Sequence, residues 1–439
     1  MFTLIEKNNL DSFLIRYPEL EENIDLFLLH ENENHYFLPR FFYKNYPSNH
    51  IRVLDPPYSP AEIKVNFTKD LRETQKKIVQ KILIEYDKTN SINGVIKAPP
   101  GTGKTCMGIY LSTKIKLKTL IIVDKDPLFK QWIKEILHFT DLPEDNIGQI
   151  KQKKFPKNNE PIIISTVQTL LSKFKQNSKD FYYKLKELGI GLVIFDEVHN
   201  TSSSEKYAKV STILSTNNIL GLSATPYKTG GQKILMENTI GSTIVDNFDY
   251  NLIPELHFIS YESKLSNYKI MLAKTKDFIM RKAIYNKILV KSETYLDLFP
   301  KFIKEDLKNK HKTIIICWTE NQVKAISNKL NEHGITCTEY YGKARTFSTD
   351  DQTLVATYQF AGTGFDFKNL SSLIYACPLS GRISLIQTAG RILRSCQDKT
   401  SPLIRFLVDE TFPKESTEEM NRAENIFKKE FENIVIKKV

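Results

Sequence analysis

Residues 94–105 read GVIKAPPGTGKT. The apolar run 94–98 carries no polar alternation, as expected of a strand buried on both faces of a parallel sheet. The turn 98–105 that follows is rich in proline and glycine and opens onto a helical pattern. In a strand–turn–helix of this kind, successive backbone N–H groups cradle phosphate oxygens and the helix N-terminus adds its dipole. Pro100, Gly101, Thr102 and Gly103 form the cradle. Lys104 is placed for the β- and γ-phosphates, and the Thr105 hydroxyl for Mg²⁺. One departure from the strict pattern is Ala98, which stands where the first glycine belongs.

Outward from this turn, four more short apolar runs alternate with helical stretches, at 119–123, 161–165, 191–195 and 219–223. The same alternation returns at 313–318, 338–341, 353–357, 372–376 and 403–408. Crossover helices between parallel strands explain the spacing, so the chain reads as two α/β domains in tandem, at 65–248 and 311–412. Residues 249–310 read as a linker entering an extended segment and then a lysine-rich helical stretch. Residues 413–439 read as a docked C-terminal helix, with apolar residues near helical spacing. Residues 1–64 form an N-terminal extension. Its aromatic patch 35–47 (HYFLPRFFYKNYP) reads as packing against the first domain, with a small accessory subdomain as the alternative.

The composition is that of a soluble intracellular protein: 41% hydrophobic and 26% charged over 439 residues. No apolar run is long enough to span a bilayer, and the start lacks a signal-peptide pattern. The five cysteines lie far apart with no CxxC pair, which argues against a zinc site or disulfide framework. A net charge of +11 suits a phosphate-backbone partner, although a solvated lysine-rich surface has the same charge. The basic run 151–157 (KQKKFPK) reads as a solvated loop before it reads as a contact. Lysines outnumber arginines 51 to 11, so each arginine is informative, and none lies between Arg72 and Arg281.

At the end of the run 191–195 stand Asp196, Glu197, Val198 and His199. Carboxylates at the C-terminal ends of parallel strands line the crevice where such sheets bind ligands. Asp196 is positioned to hold Mg²⁺ and Glu197 to orient and deprotonate an attacking water. Charge developing on a γ-phosphate calls for a cation that the first domain's arginine-free stretch does not supply. Residues 387–394 (QTAGRILR) place Arg391 and Arg394 three apart on one helix face, with Gln387 a turn earlier.

Taken in order, these segments resemble the motifs of superfamily 2 helicases. Residues 98–105 resemble motif I, 121–132 (IIVDKDPLFKQW) motif Ia, 165–170 (STVQTL) the backbone-touching motif beside it, and 196–199 (DEVH) motif II. Residues 222–226 (LSATP) resemble motif III, 314–318 with 341–342 motif IV, 356–366 (ATYQFAGTGFD) motif V, and 387–394 motif VI. Residues 71–75 (LRETQ) resemble the adenine-reading segment, which makes Gln75 a candidate for the adenine edge. Within the superfamily the pattern is most similar to XPB-type translocases, type I and III restriction motor subunits, and phage and poxvirus transcript-release helicases. The patch 37–40 (FLPR) is similar to that set too. DEAD-box RNA helicases fit less well, because motif II ends in His199.

The resemblance implies two RecA-like parallel-sheet lobes with ATP and Mg²⁺ in a cleft between them. Gly364 and Asp366 would join the nucleotide site; His199, Ser223 and Thr225 would couple it to nucleic acid; Thr166, Gln168 and Thr357 would contact the nucleic-acid backbone. It implies a monomeric DNA helicase or translocase acting in transcription termination, repair or recombination, alongside a polymerase or repair partner. A viral source would place it in the virion or host cytoplasm. The alternatives are an RNA helicase with the same core and an ATPase-dead nucleic-acid clamp. Lys104, Glu197 and Arg391 all being in place argues against the clamp.

Overall fold

The computed structural model describes residues 2–439 apart from 22–23, 55–58, 100, 153, 158, 199–200, 215, 225–229, 247–251, 343–350, 359–368, 380 and 394–399. The chain divides into two compact units, Met1–Asn247 and Phe248–Val439.

The first unit is built on a seven-stranded sheet. In spatial order its strands are Thr243–Asp246, Asn93–Lys97, Ile219–Ser223, Leu192–Asp196, Thr119–Val123, Ile162–Thr166 and Ile147–Ile150, all paired in parallel. Every residue of the four strands Thr119–Val123, Ile162–Thr166, Leu192–Asp196 and Ile219–Ser223 is buried, which is why they read as unbroken apolar runs. Helices cover both faces. One face packs Ile96, Met107, Trp132 and Ile164, the other Val95, Leu120, Phe195 and Tyr207.

The N-terminal residues fold as a four-stranded antiparallel sheet, ordered His30–Glu31, His35–Leu38, Phe2–Glu6, Ile51–Leu54. The aromatic patch is both a subdomain core and a docking surface. Phe13, Phe27 and Phe42 bury against Ala208 and Leu235 of the first lobe. Arg40, 1% exposed, donates to the Thr216 carbonyl, and Asn45 donates to Asn238 at 2.9 Å.

The second unit repeats the plan. Its sheet runs Thr338–Tyr340, Thr353–Thr357, Thr313–Cys317, Ser372–Tyr375, Leu403–Asp409, Glu255–Tyr261 and Ile436–Lys438, again all parallel. Here the segment read as a linker has a different part. Glu255–Tyr261 pairs with Leu403–Asp409 over seven residues, and helices from Lys269–Lys274 to Leu298–Lys308 follow it into the same unit. The reason is apolar content: Leu256 and Phe258 are fully buried, and Phe258 stacks on Phe406 at 5.0 Å. The C-terminal helix Pro413–Glu430 docks through Ala423 and Phe427, and the chain then returns as the edge strand Ile436–Lys438. A buried ion pair, Arg405 to Asp306 at 2.7 Å, joins the sheet to the helix Leu298–Lys308. Among the described residues no helix is long and apolar enough to cross a membrane, and Cys106, Cys317, Cys337 and Cys377 are free thiols.

Candidate nucleotide site

The parallel strands of the first sheet all end on one edge, and the predicted residues gather there. Register pairs Ser223 with Lys97 and Leu222 with Asp196, so the ends of three neighbouring strands meet there. The turn after Lys97 holds Gly101 and Gly103 at φ +83°, a left-handed conformation that favours glycine. The loop is pinned at its base, where Ala98 N donates to the Ser223 carbonyl at 3.1 Å. Across it, the Thr102 hydroxyl donates to the Pro99 carbonyl at 2.7 Å. Lys104 begins the helix Lys104–Ile115, and its buried ammonium donates to the carbonyls of Ala98 and Pro99 at 3.1 and 3.3 Å. Thr105, half-buried, stands in the first turn of the same helix.

Gln75, the candidate for the adenine edge, is engaged with the phosphate loop. It is 3% exposed; its Oε1 accepts from Arg72 N at 3.0 Å, and its Nε2 donates to the Thr102 carbonyl at 2.8 Å. It therefore braces the phosphate loop from behind. A Cβ added at Gly103 would lie 2.3 Å from that same nitrogen, so the loop and Gln75 are fitted to each other.

Asp196 ends its strand buried, and its Oδ2 accepts from the Trp132 indole at 2.7 Å. Burial, and then the neighbouring Glu197 carboxylate, pushes the Asp196 carboxyl up to about 7, while the Trp132 hydrogen bond and the Lys104 charge pull it down. The Tyr207 hydroxyl donates to the Asp196 carbonyl at 2.8 Å. Glu197 sits half-buried at φ +50°, a left-handed conformation costing a non-glycine residue about 1–2 kcal/mol. Such local strain clusters at functional sites. The hydroxyl of Thr105 and the carboxylate of Asp196 are hard oxygen donors of the kind Mg²⁺ takes. Among the described residues no three His, Cys, Asp or Glu side chains could hold a metal together.

The strand Ile219–Ser223 leads towards motif III, and Val198 N donates to the Leu222 carbonyl at 3.3 Å, tying motif II to it. His199, Thr225 and Pro100 lie outside the described residues. Further along the edge, Thr166 caps the helix Val167–Gln176 by accepting from Thr169 N, and exposed Gln168 donates to Asp124 at 3.1 Å. Trp132 and Tyr207 received no role from the sequence. Trp132 falls within the motif Ia stretch, but nothing in its spacing points to a carboxylate 64 residues away.

In the second unit, the helix Arg382–Ile392 buries Leu385, Ile386, Ala389 and Ile392, leaving Gln387 and Arg391 half-buried one turn apart. Tyr375 and Thr388 hydrogen-bond beneath them and fix the helix on its sheet. Thr357 ends its strand, 6% exposed, with a hydroxyl that has no hydrogen-bond partner among the described residues. Gly364, Asp366 and Arg394 lie outside those residues. Arg405, eleven residues beyond Arg394 in sequence, belongs to the core through Asp306.

Two parallel-sheet units, one carrying a phosphate-cradling loop beside an Asp-Glu pair, define an α/β protein of the tandem RecA-like class. Residues 68–228 match the family of the type III restriction enzyme res subunit, and residues 293–396 match the helicase conserved C-terminal domain. These two domain matches identify the chain as a superfamily 2 helicase, and viral helicases and XPB are among its relatives. A protein of Acanthamoeba polyphaga mimivirus, named as a candidate ATP-dependent RNA helicase, is 25% identical over 433 residues, 95% of this chain and 79% of its own. The helicase/translocase subunit XPB of general transcription and DNA repair factor IIH from Encephalitozoon cuniculi is 29% identical over 137 residues, 30% of this chain and 20% of its own. Among solved structures, S. cerevisiae Dbp5 bound to RNA and ADP BeF3 aligns with a TM-score of 0.56 at 16% identity, covering 83% of this chain and 89% of its own. The type ISP restriction-modification enzyme LlaBIII bound to DNA aligns at 0.58 and 15% identity, covering 85% of this chain and 32% of its own.

Proposed function

We propose that this chain hydrolyses ATP to drive movement along, or separation of, DNA strands. The observation that carries the reading is the edge of the first sheet, where Lys104, Thr105, Asp196 and Glu197 converge around a glycine loop. Backbone N–H groups of residues 101–105 would bind the phosphates and Lys104 would neutralise them. Mg²⁺ held by Thr105 and Asp196 would offset charge on the β- and γ-oxygens. Glu197 would orient and deprotonate the attacking water, and Arg391 with Arg394 would supply the cation that stabilises the transferring phosphoryl group, typically worth about 10³–10⁵ in rate.

Movement of the phosphate loop has a path outward. Ala98 hangs on Ser223, and Leu222 holds Val198, so a change at the γ-phosphate would pull on motifs II and III together. Thr166, Gln168 and Thr357 would carry backbone contacts, making binding salt-dependent and largely sequence-independent. The match to a restriction-enzyme motor and the relative named for DNA repair support DNA as the track. The mimivirus relative named for RNA, which spans nearly the whole chain, supports RNA as the second reading.

Steady-state ATP hydrolysis with duplex DNA, single-stranded DNA or RNA decides between them. DNA-dependent stimulation is the expected result. Stimulation by RNA alone would transfer the reading to RNA.

A further inference from the structure

The helices Lys269–Lys274 and Phe278–Leu289 leave a row of large apolar side chains in solvent: Ile270 at 69% exposure, Met271 at 41%, Ile279 at 72% and Met280 at 60%. Neither helix is loose. Leu272 anchors the first, and Tyr285, Ile288 and Leu289 bury the last turns of the second, so its first turn stands clear of the core. That first turn is fixed from the side. Arg281 pairs with Glu415 at 2.6 Å, Lys282 pairs with Glu419 at 3.0 Å, and the Asp277 carboxylate accepts from Met280 N at 2.6 Å.

Lys282 also ties the ridge to a particular place. Its ammonium lies 5.3 Å from the ring of Trp318, and Trp318 stacks on Tyr358 at 4.8 Å and 18°. These two aromatics directly follow the strands Thr313–Cys317 and Thr353–Thr357, beside the hydroxyl of Thr357. The apolar ridge therefore flanks the C-terminal edge of the second sheet. Its exposed charges, Lys269, Lys274 and Lys276 against Asp277, are net positive. A surface that is apolar at its crest and cationic around it complements a chain whose backbone is anionic and whose bases are flat and apolar.

We propose that this ridge is a nucleobase-contacting surface: Ile279 and Met280 lie against exposed bases of a single strand while the flanking lysines meet its phosphates. An acidic protein surface has the same charge but offers no counterpart to the Trp318–Tyr358 stack beside the ridge. The inference rests on the nucleic-acid-motor reading and adds a contact to bases, which backbone tracking does not need.

The test compares wild type with the double variant Ile279→Ser, Met280→Ser, both exposed positions. Binding is measured by fluorescence anisotropy to two strands of equal length, a homothymidylate (or homouridylate, whichever binds tighter) and an abasic strand of the same backbone. The expected result is a loss of about 3- to 30-fold on the base-bearing strand, as partial burial of two aliphatic side chains gives, with less than a twofold change on the abasic strand. No loss on either strand overturns the proposal and leaves the ridge to a protein partner. An equal loss on both overturns it in favour of a general disturbance, checked by the thermal midpoint. If wild type binds neither strand and its ATP hydrolysis ignores nucleic acid, the motor reading itself has failed.

Discussion

Trp132 and Gln75 do their work behind the residues that would touch ATP. The Trp132 indole fixes one oxygen of a buried carboxylate, and groups that orient a metal ligand typically change metal affinity or activity by about 10–100-fold when removed. Trp132→Phe deletes the donor and keeps an aromatic ring in the core, and its thermal stability is measured alongside to separate the loss of packing. It should lower ATP turnover by about tenfold or more and raise the Mg²⁺ concentration needed for half-maximal rate; an unchanged Mg²⁺ dependence would contradict the role given to Trp132. For Gln75, both amide ends are engaged within the protein, although a second N–H and a second lone pair stay chemically available. As a brace for the loop, Gln75→Ala should raise KM for ATP and GTP by similar factors. A selective loss for ATP would return Gln75 to the adenine edge. The phosphate loop and the Asp-Glu pair were legible in sequence because stereochemistry fixes their residue types and spacing. Trp132 and the bracing role of Gln75 were not, because each depends on a contact that only the fold creates.

Among the elements, two arginine pairs in the second unit show how burial decides energetics. Arg405 and Asp306 are each 1% exposed, and breaking a buried pair leaves an uncompensated charge. Asp306→Ala should therefore cost about 3–5 kcal/mol in denaturant unfolding. Arg382 is 45% exposed but its partner Glu430 only 5%, so its replacement by alanine should cost less than Asp306→Ala and more than breaking a pair exposed at both ends. Equal costs would mean that the Arg405 pair is not desolvated as described. The N-terminal sheet docks partly through His30, whose ring nitrogen donates to the Lys209 carbonyl at 3.1 Å and whose ring meets Phe174. Burial lowers the His30 pKa below its ordinary 6.5, so the folded state disfavours the proton. The stability this gives is present above 6.5 and lost as pH falls below it. Hydrogen-exchange protection of residues 2–54, referred to the intrinsic exchange rate at each pH, should fall between pH 7 and about 5.5, and His30→Gln should abolish that fall. The strands buried on both faces were legible as apolar runs. The edge strands Ile147–Ile150, Thr243–Asp246 and Ile436–Lys438 were not, because they are short and their register is set by a neighbour. Glu255–Tyr261 alternates polar and apolar residues at the sheet's margin, so it read as an extended approach to a domain when it is a strand within one.

At the scale of the whole molecule, one sheet carries the phosphate loop with its acidic pair and the other carries the helix with Gln387 and Arg391. The division of labour follows from the arginine distribution, since the first lobe has none between Arg72 and its end. A motor built this way should lose turnover when either half is damaged, while nucleic-acid binding survives. Arg391→Ala and Lys104→Ala should each reduce stimulated hydrolysis by about 10² or more and change affinity for DNA without ATP by less than twofold. Motor action is read out by ATP-driven displacement of a third strand from duplex DNA, with an equivalent RNA-containing substrate in parallel and Glu197→Gln as the control. The expected result is displacement that requires hydrolysis, disappears with a non-hydrolysable analogue and is absent in Glu197→Gln. Displacement supported by ATP binding alone, or robust hydrolysis that displaces nothing on either substrate, would contradict it.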